Sequence, residues 1–253
     1  MSSLNQHEFS DYTVMNSSQT RATGSVSKKF MSGVFTWMFV ALGVSALFAL
    51  LFASNDSLLQ YLFTVTSTGA KLGPLGWLVM LAPLGFVMLM SFGYHRLSPV
   101  ALTALFVTYA AINGISFSFI LLAYTASSVI GCFITASLMF GVMAVMGYTT
   151  DKDLTSFGSI LMMALVGIII ASMVNWFLHS DALGYIISLV GVAVFTGLTA
   201  YDVQKLKRIG AGIEYDGTAN DTRKLALMGA LNLYLDFVNL FIMLLRLFGN
   251  KRN

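Results

Sequence analysis

The sequence predicts an all-α integral membrane protein with seven transmembrane helices. Of its 253 residues, 57% are hydrophobic and 10% are charged, against about 25% charged in soluble domains. Mean hydropathy is +0.80. Seven apolar runs recur along the chain, most of them near the ~20 residues that a bilayer core of about 30 Å requires.

The runs are Phe30–Ala53, Leu75–Ser91, Pro99–Tyr124, Ser127–Tyr148, Phe157–Leu178, Tyr185–Leu206 and Leu225–Phe248. Residues 1–29 hold seven serines and no apolar run, so they are expected as a polar, mobile N-terminal tail before a transmembrane domain over 30–253. The first run is too long for a signal-peptide core and reads as a retained helix. The second carries Pro83 and Gly85, which predicts a kink. The third and fourth are joined by almost nothing, which predicts an antiparallel hairpin. No soluble domain fits between any two runs.

Charge sets the expected orientation. With the N-terminus inside, the inner segments hold Arg21, Lys28, Lys29, Arg96, Lys152, Lys205, Lys207, Arg208, Arg223 and Lys224. The outer segments hold Lys71, Arg246, Lys251 and Arg252. That asymmetry favours a cytoplasmic N-terminus. The basic tail Lys251–Arg252 opposes it, and a re-entrant seventh run would bring both ends inside. The net charge of +3 fits loops facing anionic lipid and does not call for nucleic acid. A single cysteine, Cys132, excludes an internal disulfide framework, and the three histidines lie in separate segments without metal-ligand spacing.

Polarity inside the last run is ordered. Gly229, Asn232, Asp236, Asn239, Met243 and Arg246 follow at intervals of 3, 4, 3, 4 and 3, one stripe on an α-helix. A carboxylate at that depth is costly and should face protein or water. It is either a structural acid bonded to a neighbouring helix or a functional one.

The sixth run holds a second acid, Asp202, in Phe195-Thr196-Gly197-Leu198-Thr199-Ala200-Tyr201-Asp202. Thr199 and Ser188 share its stripe, and Gly191 and Gly197 would let a partner helix approach. Asp202 could instead be an interfacial acid paired with Lys205 or Lys207. From the run ends, Asp202 sits about 6 Å and Asp236 about 16 Å deep, so level, untilted helices would miss by about 10 Å. Helix tilts near 20° and uneven ends permit the meeting.

If they meet, both cannot easily ionise, and the pair titrates as a unit. Oxygen ligands from Asp202, Asp236, Asn232 and Asn239 would suit Ca²⁺ over a transition metal. Protons and Ca²⁺ would then compete, which is a basis for a pH-gated cation path. No resident cofactor is expected, only Ca²⁺ as a bound or transported ion. Asp151 and Asp153 have the spacing of a calcium-loop start but lack that motif's glycine and closing glutamate. The loop between the sixth and seventh runs mixes four basic residues with Glu214, Asp216 and Asp221, and reads as a solvated loop or, less simply, as a cation vestibule.

Ala200-Tyr201-Asp202-Val203-Gln204 and Leu233-Tyr234-Leu235-Asp236-Phe237-Val238-Asn239-Leu240-Phe241 resemble the motifs of the transmembrane Bax inhibitor motif family, also called Bax inhibitor-1-like, in its bacterial form. Leu244-Leu245-Arg246 with Phe248-Gly249 is similar to the family's final-helix ending. The resemblance covers all seven runs in order. It implies a last helix held centrally between two three-helix layers. It implies a proton-sensitive calcium leak with Asp202 and Asp236 as proton sensor and ion path, supported by Asn232, Asn239 and Thr199. It further implies an arginine latch after the second run. Here that stretch reads Tyr94-His95-Arg96, so His95 or Arg96 is the candidate latch, and a histidine there would make it proton-sensitive. The expected setting is the bacterial plasma membrane, with lipid, Ca²⁺ and protons as partners.

Two other classes compete. An intramembrane aspartyl protease also sets a Tyr-Asp and a second Asp on consecutive spans, but it needs glycine where Leu233 and Leu235 stand, and no enzymatic activity is expected. A non-transporting regulator of a membrane protease or stress pathway would use the tail as a handle for an unidentified membrane-protein partner.

Overall fold

The computed structural model describes residues 5–66, 69–216 and 219–252. Eight helices run in order: α1 Asn5–Ala53, α2 Asp56–Leu62, α3 Pro74–Gly93, α4 Pro99–Ala123, α5 Ala126–Thr149, α6 Thr155–Leu178, α7 Asp181–Asp216 and α8 Ala219–Phe248. A short antiparallel hairpin, β1 Phe63–Thr66 with β2 Gly69–Leu72, sits in the link between α2 and α3. All helices except α2 are long and apolar enough to cross a membrane. The chain is a seven-span, all-α membrane protein.

The boundaries follow local chemistry. Pro74 and Pro99 open α3 and α4, where a missing N–H costs nothing. The Ser98 hydroxyl accepts from Ala101 N at 3.2 Å. Pro83 stays inside an unbroken α3. His179 ends α6 with φ 51°, a left-handed turn that also lets Asn175 Oδ1 accept from Ser180 N at 3.1 Å.

Two expectations about loops change. The polar segment expected as a tail is helical from Asn5 onward, continuous with the first span, whose membrane-length part is Ser27–Ala53; residues 1–4 lie outside the described residues. No proline lies between Asn5 and Ala53 to break it. The loop expected after Leu206 is helix as far as Asp216, and α8 starts at Ala219 instead of Leu225. Residues 207–216 contain no proline, so α7 continues past its apolar stretch.

α8 is the hub. It packs on α1, α4, α5 and α7, with α3 behind α4 and α6 behind α7. One layer is α1, α3 and α4; the other is α5, α6 and α7. In α8, 72% of the span window is buried, against at most 44% in any other span, so the last helix is central. Leu233, Tyr234, Leu240 and Leu245 are fully enclosed, and Phe237 meets Phe133 and Phe140 of α5 edge to face. A helix hydrophobic on nearly all faces is buried for that reason.

α8 is also unbroken. Its 30 residues reach about 45 Å, more than the core thickness. Its far end is pinned to the α4–α5 turn. Thr125 N donates to Asn250 O at 3.0 Å and Arg252 N to Ala123 O at 2.9 Å. The seventh helix therefore crosses fully and does not re-enter, and the chain's end lies on the side of the α4–α5 turn.

Candidate functional site: a buried carboxylate pair

Asp202 and Asp236 are neighbours across the α7–α8 interface. The extended helices explain why. Measured from Asp216 and Ala219, which lie near one another in the chain, the acids are about 21 and 25 Å along their helices. The 10 Å mismatch shrinks to about 4 Å. Small residues bring the helices close at both ends of the site. A Cβ on Gly191 would strike Met243 of α8, and one on Gly229 would strike Leu206 of α7. Gly197 faces the other way, onto Leu161 and Phe157 of α6.

Asp236 is 6% exposed and Asp202 half-buried, so α8 supplies the enclosed member. Among the described residues, Asp236 Oδ2 has no conventional donor. The neighbouring group is the Asp202 carboxyl, and two ionised carboxylates cannot donate to each other. A bond between the two would need one shared proton. Lys205, exposed one turn beyond Asp202, is the cation whose field reaches Asp202.

The rest of the expected site is dispersed. Thr199 is fully buried one turn from Asp202, its hydroxyl donating to Phe195 O at 2.8 Å. Asn232 is exposed and Asn239 half-buried, one turn before and after Asp236. Among the described residues no hydrogen bond joins either amide to the pair, and none has three or more acids, histidines or cysteines grouped to hold a metal. Two carboxylates offer at most four oxygens, fewer than the six to eight that Ca²⁺ takes. His95 stacks edge-on against Tyr94, and Tyr94 lies under Lys224 of α8. Among the described residues neither His95 nor Arg96 forms an ion pair with Asp202; the ion pair found joins Arg208 to Asp153.

That pair belongs to a clamp the sequence did not suggest. Asp153 accepts from Thr155 Oγ1 at 2.6 Å and Thr155 N at 2.9 Å, and pairs with Arg208 at 2.8 Å. The Thr155 donors, with Arg208, hold its carboxyl down at about 2. It is tied to Thr155, the first residue of α6, rather than opening a calcium loop. Gln204 Nε2 donates to Lys152 O at 2.7 Å, and its Oε1 accepts from Leu154 N at 2.9 Å. Gly147 lies against the Ala200 carbonyl and Gly158 against the Tyr201 ring. The Tyr201-Asp202 step is thereby gripped by α5 and α6.

A second unforeseen group fills the opposite face of α8. Tyr234 OH lies 2.8 Å from Ser45 Oγ of α1 and accepts from Asn113 Nδ2 of α4 at 3.0 Å. Ser45 donates onward to Ala110 O at 2.7 Å, and Asn113 also reaches Tyr109 OH at 3.2 Å. Asn113, a lone amide in an apolar run, was the available signal.

An acid pair between the sixth and seventh spans, beside a buried central helix, marks a polytopic membrane protein with an intramembrane carboxylate site. Residues 27–253 match the family model described as Inhibitor of apoptosis-promoting Bax1. The chain belongs to that family. It is 44% identical to the Inner membrane protein YbhL of Escherichia coli over 88% of this chain and 92% of that one. It is 40% identical to a Borreliella burgdorferi protein over 90% and 94% of the two chains. A Rickettsia prowazekii protein is 37% identical over 96% and 99%.

Proposed function

We propose that this protein is a pH-sensitive calcium leak pathway of the bacterial inner membrane, with Asp202 and Asp236 as proton sensor and cation way-station. The observation that carries the reading is the buried Asp236 carboxyl, its Oδ2 without a partner among the described residues and its neighbour a second acid, Asp202. Protonated once, the pair is a closed hydrogen bond. Doubly ionised, it is a concentrated negative charge in a low dielectric that a hard cation relieves. Proton and Ca²⁺ thus exchange for one another at the same oxygens. Seven spans and the relative named as an inner membrane protein support the location. Leu233 and Leu235 stand where an intramembrane aspartyl protease needs glycine, which supports transport over hydrolysis.

The test is Ca²⁺ entry into indicator-loaded liposomes holding the purified protein, recorded together with internal pH. Entry that changes between about pH 6 and 8 supports the reading, and stoichiometric proton counterflow would make it an exchanger. Entry no faster than in empty liposomes at any pH would leave a regulator that transports nothing.

A further inference from the structure

The two layers around α8 do not close alike. On one side α1 packs against α7. On the other, a groove of about 340 Å³ lies between the α1–α4 pair and α5, floored by Phe237, Val238 and Phe241 of α8. The floor is enclosed, with Val238 5% exposed, whereas Leu50 and Ile130 on the rim are each 59% exposed, so the groove opens sideways to lipid. Its rim continues into the apolar belt of Leu47, Leu51 and Ile134. Ser45 is the one polar side chain in the lining, and its hydroxyl is already engaged with Ala110 O and Tyr234. Such a cavity excludes water and offers nothing to a polar head.

Its depth matches one leaflet. The lining runs from Leu42 to Leu50 on α1 and from Ala126, the first residue of α5, to Phe133. Those stretches are about 12 and 10 Å long, within the roughly 15 Å of one half of the hydrocarbon core. Basic residues are pinned near the Ala126 end of the groove. Lys251 pairs backbone to backbone with Tyr124, two residues before Ala126, and Arg252 N bonds Ala123 O. Both side chains are exposed, as is Arg246 at the end of α8.

We propose that this groove holds one acyl chain of an anionic phospholipid from the adjoining leaflet, its phosphate met by Lys251 and Arg252. The apolar channel takes the tail and the pinned C-terminal residues take the charge. The same basic pair that runs against the chain's charge asymmetry thereby has a ligand. The site is independent of the carboxylate pair, on a different face of α8.

The test uses the full chain in phosphatidylcholine vesicles doped with phosphatidylglycerol that bears a photoactivatable group midway along one acyl chain. Cross-links should map to Phe237–Phe241, although α8 is the most buried helix. Ala46→Trp, at an exposed lining position, should bring α8 labelling to background and leave labelling of Met163 and Phe177 on α6 unchanged. The same photolabel on phosphatidylcholine should mark α8 more weakly, and Lys251→Gln with Arg252→Gln should erase that difference. Unlabelled α8, or labelling indifferent to Ala46→Trp, overturns the acyl site. Equal labelling by the two lipids in the unaltered protein overturns the preference for an anionic headgroup.

Discussion

Replacing Tyr234 with phenylalanine removes one oxygen from the centre of the bundle. Because Ser45 donates to Ala110 O, the Tyr234 hydroxyl donates to Ser45 and accepts from Asn113. Two bonds are lost, yet each partner keeps another: Ser45 the Ala110 carbonyl, Asn113 the Tyr109 hydroxyl. Interhelical hydrogen bonds in membranes average about 0.6 kcal/mol and soluble ones about 1, so the expected loss is about 1–2 kcal/mol. Tyr234→Ala also deletes a fully buried ring packed edge-on against Tyr109 and should cost about 3–5 kcal/mol. Reversible unfolding in mixed micelles measures both. Adding Ser45→Ala to Tyr234→Phe should recover a coupling of about 0.6 kcal/mol. Ca²⁺ flux should survive Tyr234→Phe, because residues two apart point to opposite sides of a helix and Asp236 faces α7. A Phe variant as damaging as the Ala variant would refute the assignment of those bonds, and so would uncoupled single mutants.

Gly147→Val would drive a side chain into the Ala200 carbonyl and push α5 off α7 beside Asp202; it should cost at least about 1–3 kcal/mol by unfolding and blunt the flux. Asp153 should stay ionised far below neutrality. A lowered folded value means its contribution is present above the ordinary carboxylate range and is lost as pH falls through about 2, so a carboxyl-carbon NMR titration should show no change near neutral pH. Reporter fusions should place the N-terminus inside and the C-terminus outside; a cytoplasmic C-terminus would contradict the unbroken α8.

Much of this was readable from residue order. Hydropathy gives seven spans because a bilayer demands continuous apolar helix, and the stripe through Asp236 marks a helix that cannot face lipid on that side. Depth was not readable. Apolar runs mark where lipid contact ends, not where helices end, and the unseen extensions of α7 and α8 bring the acids level. Gly191 and Gly197 look alike in sequence, but the helix crossing sends one to α8 and the other to α6. The Ser45–Tyr234 contact spans 189 residues, and the Gln204 clamp joins side chain to backbone, so neither leaves a local pattern.

The most direct measurement is the pH profile of Ca²⁺ entry into liposomes for the unaltered protein, Asp202→Asn, Asp236→Asn and the double variant. Each Asn substitution keeps shape and hydrogen bonding but removes one carboxylate from the shared site. Each single variant should flatten the response between about pH 6 and 8, and the double variant should add little, because two groups that hold one proton act as one unit. Two single variants that both retain the unaltered profile would show that Asp202 and Asp236 are not the sensor.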